Sequence, residues 1–130
     1  MDHVIRTAIP GVHEPVGYRH LARVGDTLYV SGQIARAVDG SVVGIGDAAV
    51  QTRQVLANLE AVLASQGAGL GDIVKWTVYL TDRASIGPFR EVRGSVLGER
   101  VPPSTLVIVD GLAMPELLIE IEAIAVVPAG

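Results

Sequence analysis

The amino-acid sequence predicts an α+β domain: one mixed β-sheet with two helices on a single face. Three observations carry that prediction. The predicted elements run in the order βββαβαββ, which departs from the strict alternation of a doubly wound fold. Residues 48–66 hold Val55, Leu59, Val62 and Leu63 at helical spacing, with Leu56 beside them. The last segment, Leu117 to Val127, alternates between one wholly apolar side and one carrying Glu120 and Glu122. With 130 residues and no linker, repeat or low-complexity tract, the chain reads as a single domain, 1–130.

Each element has its own local reason. Val4 to Ile9 reads as a short strand closed by Pro10-Gly11. His20 to Val24 and Thr27 to Ser31 flank Gly25-Asp26, a hairpin signal. Residues 35–46 read as a loop with a small hairpin around Asp39-Gly40. Asp47 stands where an N-cap belongs, and Gly67 fits the left-handed stop of the long helix. On that helix Gln51, Arg53, Gln54 and Asn58 read as its polar side. Asp72 to Thr81 is rich in β-branched and aromatic residues and reads as an interior strand. Ile86 to Leu97 reads as a second helix, with Ser85 as its N-cap, Pro88 in its first turn and Gly98 at its end. Pro102-Pro103 forces an extended approach to a strand at Thr105–Val109, and Leu117–Val127 reads as the last and longest strand.

Composition excludes several function classes. Cysteine is absent, which removes disulfides, thiolate metal sites and thiol catalysis. The net charge is −4 and the ten basic residues form no run, so a nucleic-acid partner is not expected. No apolar run is long enough to span a bilayer and the N-terminus has no export pattern, so the expectation is a soluble, cytoplasmic chain without a membrane partner. Hydrophobic residues make up 49% and aromatics only 4%, an aliphatic surplus that predicts an oligomer.

Few motifs carry chemistry by themselves. His3, His13 and His20 lie close in sequence but lack metal-ligand spacing, so no metal is expected. Ser31-Gly32-Gln33 ends a strand and enters a loop, a pattern that suits either a small polar ligand or a plain turn. Glu120 and Glu122 sit two apart on one strand face. They suit either a base that positions water or ion pairs across an interface.

In combination these residues are more specific. Tyr18, Ser31-Gly32-Gln33, the helix segment beginning at Gln51, the strand from Gly71 to Asp82, and Leu112 to Ala125 together resemble the RidA/YjgF family of reactive intermediate (enamine/imine) deaminases, also called the endoribonuclease L-PSP family. The resemblance runs from about Gly17 to Val127. It implies a chorismate-mutase-like fold, a homotrimer with ligand clefts between subunits, and cofactor-free hydrolysis of 2-imino acids and their enamine tautomers. It also implies that Tyr18, Ser31, Gly32 and Glu120 occupy the family's pocket positions, with Tyr18 and Glu120 catalytic and Glu120 orienting water. Two positions depart. The family's short-helix asparagine falls on Arg90, and its carboxylate-binding arginine falls on Ser104, followed by Thr105. A serine supplies no charge to replace a guanidinium. Three consequences are open: Arg90 or Arg93 supplies the cation to a pocket shared with Ser104 and Thr105, the substrate differs in charge, or the chain binds a ligand without turnover. The acidic balance disfavours the ribonuclease that the family's other name suggests.

Overall fold

The computed structural model describes residues 4–5 and 8–129. Six strands and two α-helices follow one another as β1 (Val4–Ile5), β2 (Leu21–Val24), β3 (Thr27–Ile34), α1 (Ala48–Ala64), β4 (Ile73–Leu80), α2 (Ile86–Leu97), β5 (Ser104–Ile108) and β6 (Ile119–Val126). This is the βββαβαββ order read from the sequence. The strands form one sheet in the order β1-β2-β3-β6-β4-β5. Only the β4–β5 pair is parallel, the crossover that α2 makes possible. The last strand is not the longest, since β3, β4 and β6 each have eight residues. The first strand is shorter than the predicted Val4 to Ile9: it covers Val4–Ile5, Ala8 and Ile9 are not strand, and positions 6 and 7 lie outside the described residues, as does His3.

One sheet face forms the core. Leu28, Val30, Trp76, Val78, Ile119, Ile121, Ala123 and Ala125 are buried there with Val55, Leu59, Val62 and Leu63 of α1 and Phe89 and Val92 of α2. The ring centroids of Trp76 and Phe89 lie 6.3 Å apart, which seats α2 on β4. Among the described residues no helix covers the other face. Tyr29 and Val126 are among its exposed apolar residues, at 50% and 42% exposure. No helix among the described residues is long and apolar enough to cross a membrane.

Capping follows the sequence at α1 and departs from it at α2. Asp47 accepts from the Val50 N–H at 3.1 Å, and Gly67 takes the left-handed φ of 77° that stops the chain beyond Ala64. Ser85 makes no side-chain cap bond, because its own backbone is already helical. Asp82 caps the preceding 3₁₀ turn, Arg83–Ser85, by accepting from the Ala84 N–H.

The polar side assigned to α1 is also partly corrected. Gln51 and Asn58 are buried, at 0% and 2% exposure, and both clamp the helix to the sheet. Gln51 Nε2 donates to the Glu116 carbonyl and its Oε1 accepts from the Leu118 N–H, which holds the entry to β6. Asn58 Nδ2 donates to the carbonyls of Ile34 and Arg36 at 3.0 and 2.9 Å, which holds the exit of β3. These are the strand ends nearest Glu120 and Gly32. Removing such a bond strands buried carbonyls, so Asn58→Ala is expected to lower the unfolding free energy by about 1–3 kcal/mol. Urea unfolding with an unchanged m-value checks this.

Candidate active site at the Ser31–Gly32 bulge

The site begins with a register change. On one side of it Val30 opposes Ala123, and on the other Gln33 opposes Ile121, so β3 uses one residue more than β6 over this stretch. Ser31 and Gly32 therefore face Glu122 as a β-bulge, a device that bends a strand and re-aims its neighbours. Before the bulge Val30 points into the core, and after it Gln33 does so again, at 0% exposure.

The bulge makes room for Glu120. A Cβ on residue 32 would stand 2.8 Å from Glu120 Cγ and nearer still to its carboxyl group, so the carboxylate lies directly across Gly32. A glycine is required here for close approach. Among the described residues the Glu120 carboxylate has no hydrogen-bond or ion-pair partner. Burial pushes its carboxyl above the ordinary carboxylate range, and the charge of Glu122 raises it further. Glu122 is held differently: Tyr79 Oη donates to its Oε1 at 2.6 Å. That bond raises the Tyr79 phenol in turn. Two neighbouring carboxylates thus occupy unlike environments, one partnered and exposed, one unpartnered and half-buried. Such a split separates a fixed charge from a poised base.

Tyr18 closes the other side. Burial raises its phenol, Arg36 opposes that rise, and Glu120 adds to it, so the hydroxyl lies within the fields of both charges. It rests on two histidines. The rings of His13 and His20 meet edge to face at 5.0 Å, and those of Tyr18 and His20 at 5.8 Å. His13 Nε2 lies 3.3 Å from Tyr18 Oη. His20 Nε2 donates to the His13 carbonyl at 2.8 Å, and Gln33 Nε2 donates to His20 Nδ1 at 3.1 Å. Burial first, then the charges of His20 and Arg36, push His13 down to about 4. His13, His20, Gln33 and Arg36 were not read as site residues from the sequence. The available signals were two histidines spaced around Tyr18 and Gln33 beside Ser31-Gly32, and neither reveals burial.

Ser31 stands at the base of this cluster, its N–H and Oγ both donating to the His20 carbonyl at 3.0 and 3.3 Å. It also lines an open depression of about 330 Å³ with Arg19, Ala22, Tyr29 and Glu122. Tyr18 lines a second depression with Glu14, Pro15 and Arg19. The chain therefore brings together Tyr18, Ser31, Gly32 and Glu120. It does not bring Arg90, Ser104 or Thr105 to them. Ser104 pairs with Trp76, whose side chain points into the core, so it lies on the opposite sheet face, at the outer edge. Thr105 is on the Glu122 side but two strands away, with Thr77 between them and Lys75 Nζ donating to its Oγ1 at 2.7 Å. Arg90 is exposed on α2, and Arg93 stacks on the Phe89 ring at 5.5 Å.

An α+β chain with an unpartnered carboxylate laid across a strand bulge has clear relatives. The endoribonuclease L-PSP family matches residues 12–127. The chain belongs to this family, the RidA/YjgF group that its motifs resemble. A RutC family protein from Pyrococcus horikoshii is 39% identical over 113 residues, covering 86% of this chain and 89% of that relative. The 3-aminoacrylate deaminase RutC of Acinetobacter baylyi is 34% identical, covering 83% and 85%. Among solved structures, RidA from an Antarctic Psychrobacter superposes with a TM-score of 0.83 at 31% identity, covering 93% of this chain and 99% of the other. E. coli TdcF with bound serine superposes with a TM-score of 0.84 at 29% identity, covering 94% and 97%.

The histidine shift has a measurable consequence. The unfolded chain protonates His13 near 6.5, whereas the folded protein resists protonation down to about 4. The stability linked to this group is complete above pH 6.5 and is lost as pH falls towards 4. The melting temperature is expected to drop across that window, and His13→Leu to flatten the drop. Thermal unfolding followed by circular dichroism at stepped pH checks it.

Proposed function

We propose that the protein is an enamine/imine deaminase-like hydrolase acting on a small metabolite. The observation that carries this reading is the unpartnered Glu120 carboxylate held across Gly32 beside Tyr18. A carboxylate raised by burial is a better base than an ordinary one, and without a protein partner it is free to accept from water. In the reaction the Glu120 carboxylate takes a proton from water while the water oxygen bonds to the imine carbon, and the C=N electron pair moves to the nitrogen, which takes a proton from solvent. The carbinolamine hydroxyl then gives its proton to solvent as the carbonyl forms, the C–N bond breaks, and the nitrogen leaves as ammonia with the proton held by Glu120. Tyr18 and the Ser31–Gly32 backbone orient water and substrate. Imine hydrolysis is intrinsically fast, so positioning is the main task. The name of the Acinetobacter baylyi relative and the serine held by TdcF support a small amino-acid-derived substrate.

The proposed working unit is a homotrimer with clefts between subunits. The uncovered sheet face supports it, as does the unpaired edge strand β5, where Val107 and Ile108 are each 38% exposed. A neighbouring subunit then supplies Ser104, Thr105 and Arg90 to the cleft of Glu120. With Ser104 in place of the family arginine, Arg90 is the proposed anion anchor and substrate preference is altered. Sedimentation equilibrium is expected to return three chains of 13.6 kDa. A monomer mass would overturn the shared cleft.

Turnover is tested by generating 2-imino acids in place with an amino acid oxidase and following keto-acid and ammonia release. Glu120→Gln is expected to lower kcat by about 10²-fold or more. The base form of Glu120 is needed, and its carboxyl is raised, so the rate should fall on the acid side at a pH above the ordinary 4.5. The same variant removes a buried charge and is expected to raise the melting temperature at pH 7. Gly32→Ala displaces a flexible side chain and no backbone, so it is expected to fold normally yet lose most of its activity.

A second reading is a trimeric binding or regulatory module without turnover, which Ser104 favours. It predicts melting-temperature shifts with small amino or keto acids and no acceleration of imine hydrolysis with any side chain.

A further inference from the structure

Beneath Tyr18 lies a polar cluster that the proposed reaction does not use. His13, His20 and Gln33 are 1%, 2% and 0% exposed, Gln33 in β3 and the two histidines in the segment before β2. Polar groups so buried cost stability unless they are bonded, and here the bonding is incomplete. Among the described residues His13 Nδ1 and Gln33 Oε1 have no hydrogen-bond partner. A cluster that tolerates orphaned atoms is a poor device for stability alone, and besides its bonds to Ser31 it reaches outward to Tyr18.

The bonds specify its protons. Gln33 Nε2 donates both to His20 Nδ1 and to the Ser31 carbonyl, which sets the orientation of its amide. His20 Nδ1 is thereby an acceptor, and Nε2 carries the hydrogen donated to the His13 carbonyl. The backbone of residue 13 is thus tied through His20 and Gln33 to β3, next to the bulge that seats Glu120. For the His13 ring, two arrangements satisfy the contact with Tyr18. One leaves a buried N–H without a partner, the other a bare lone pair on Nδ1. An orphaned buried N–H is the rarer defect, which favours the lone pair. His13 Nε2–H therefore donates to Tyr18 Oη, which leaves the tyrosine's own hydrogen free to point away from His13.

We propose that His13 is a positioning residue: held by the Gln33–His20 chain, it donates to Tyr18 Oη and so turns the Tyr18 hydroxyl into a donor aimed at the cleft beside Glu120. The hydrogen then meets the water, the imine nitrogen or the carbinolamine oxygen. This role rests on the deaminase reading of the cleft. It gives the buried histidines a function that needs neither a metal nor their own ionisation.

A double-mutant cycle tests it, with kcat and KM measured in the coupled oxidase assay on His13→Leu, Tyr18→Phe and the pair. His13→Leu is expected to lower kcat about three- to tenfold, the worth of one neutral hydrogen bond, with KM nearly unchanged. In the Tyr18→Phe background the same substitution is expected to cost nothing further. His13→Gln, which keeps a donor of similar reach, should recover most of the loss. Melting temperatures of all variants separate these effects from folding, since leucine removes an orphaned polar atom and need not destabilise. Additive losses in the cycle, or a His13→Gln variant no better than His13→Leu, overturn the positioning role even if the wild-type protein is active. Wild-type protein that hydrolyses no imine overturns the deaminase reading, and with it the role of His13 in turnover. The coupling of the two residues in unfolding free energy then decides whether the hydrogen bond itself exists, and zero coupling removes that too.

Discussion

The contact between the Glu120 carboxylate and the backbone at Gly32 organises this molecule. It exists because β3 carries one residue more than β6 between Val30 and Gln33. Without that extra residue, Ser31 and Gly32 would continue the ladder and a Cβ-bearing residue would be tolerated opposite β6. With it, the strand bends, a glycine faces the carboxylate, and Gln33 returns to the core one position later than plain alternation would place it. The helix is recruited to hold the irregularity in place. Asn58 of α1 binds the carbonyls where β3 ends, and Gln51 binds the backbone where β6 begins. Both side chains are buried, as clamps on an irregular sheet must be.

Around this contact the charges are separated by environment rather than by residue type. Glu122 is satisfied by Tyr79, and its charge makes ionisation of Glu120 harder. Glu120 has burial without a partner. The Tyr18 hydroxyl feels both the Glu120 carboxylate and the Arg36 guanidinium, over a floor of two histidines that burial keeps uncharged at neutral pH in the case of His13. The result is a corner with a base, a hydroxyl and exposed backbone, and without a cation in direct contact. Ser104 offers no charge and lies on the far face of its own sheet. In the proposed trimer the anion anchor of the cleft is Arg90 of a neighbouring subunit.

The open sheet face and the free edge of β5 give the aliphatic composition a location. Tyr29, Ile124 and Val126 lie on one continuous surface with the two glutamates. A face that mixes apolar side chains with carboxylates suits contact with a second protein surface better than contact with water.

Sequence alone determined the element order, the helix face and both faces of β6, because these depend on local periodicity, turn chemistry and alternation. Asp47, Gly67 and the Gly25-Asp26 turn carried enough local information to place α1 and the first hairpin. Motif combination also marked Tyr18, Ser31, Gly32 and Glu120. Local pattern could not tell that Gln51 and Asn58 are buried clamps, since a polar residue on a helix looks solvated until the sheet it meets is known. Nor could it tell that Ser85 leaves capping to Asp82 in a preceding 3₁₀ turn. The bulge, the unequal environments of Glu120 and Glu122, and the relay from Gln33 through His20 and His13 to Tyr18 were decided by tertiary structure. Each depends on register and burial, which arise only when strands distant in sequence are laid side by side.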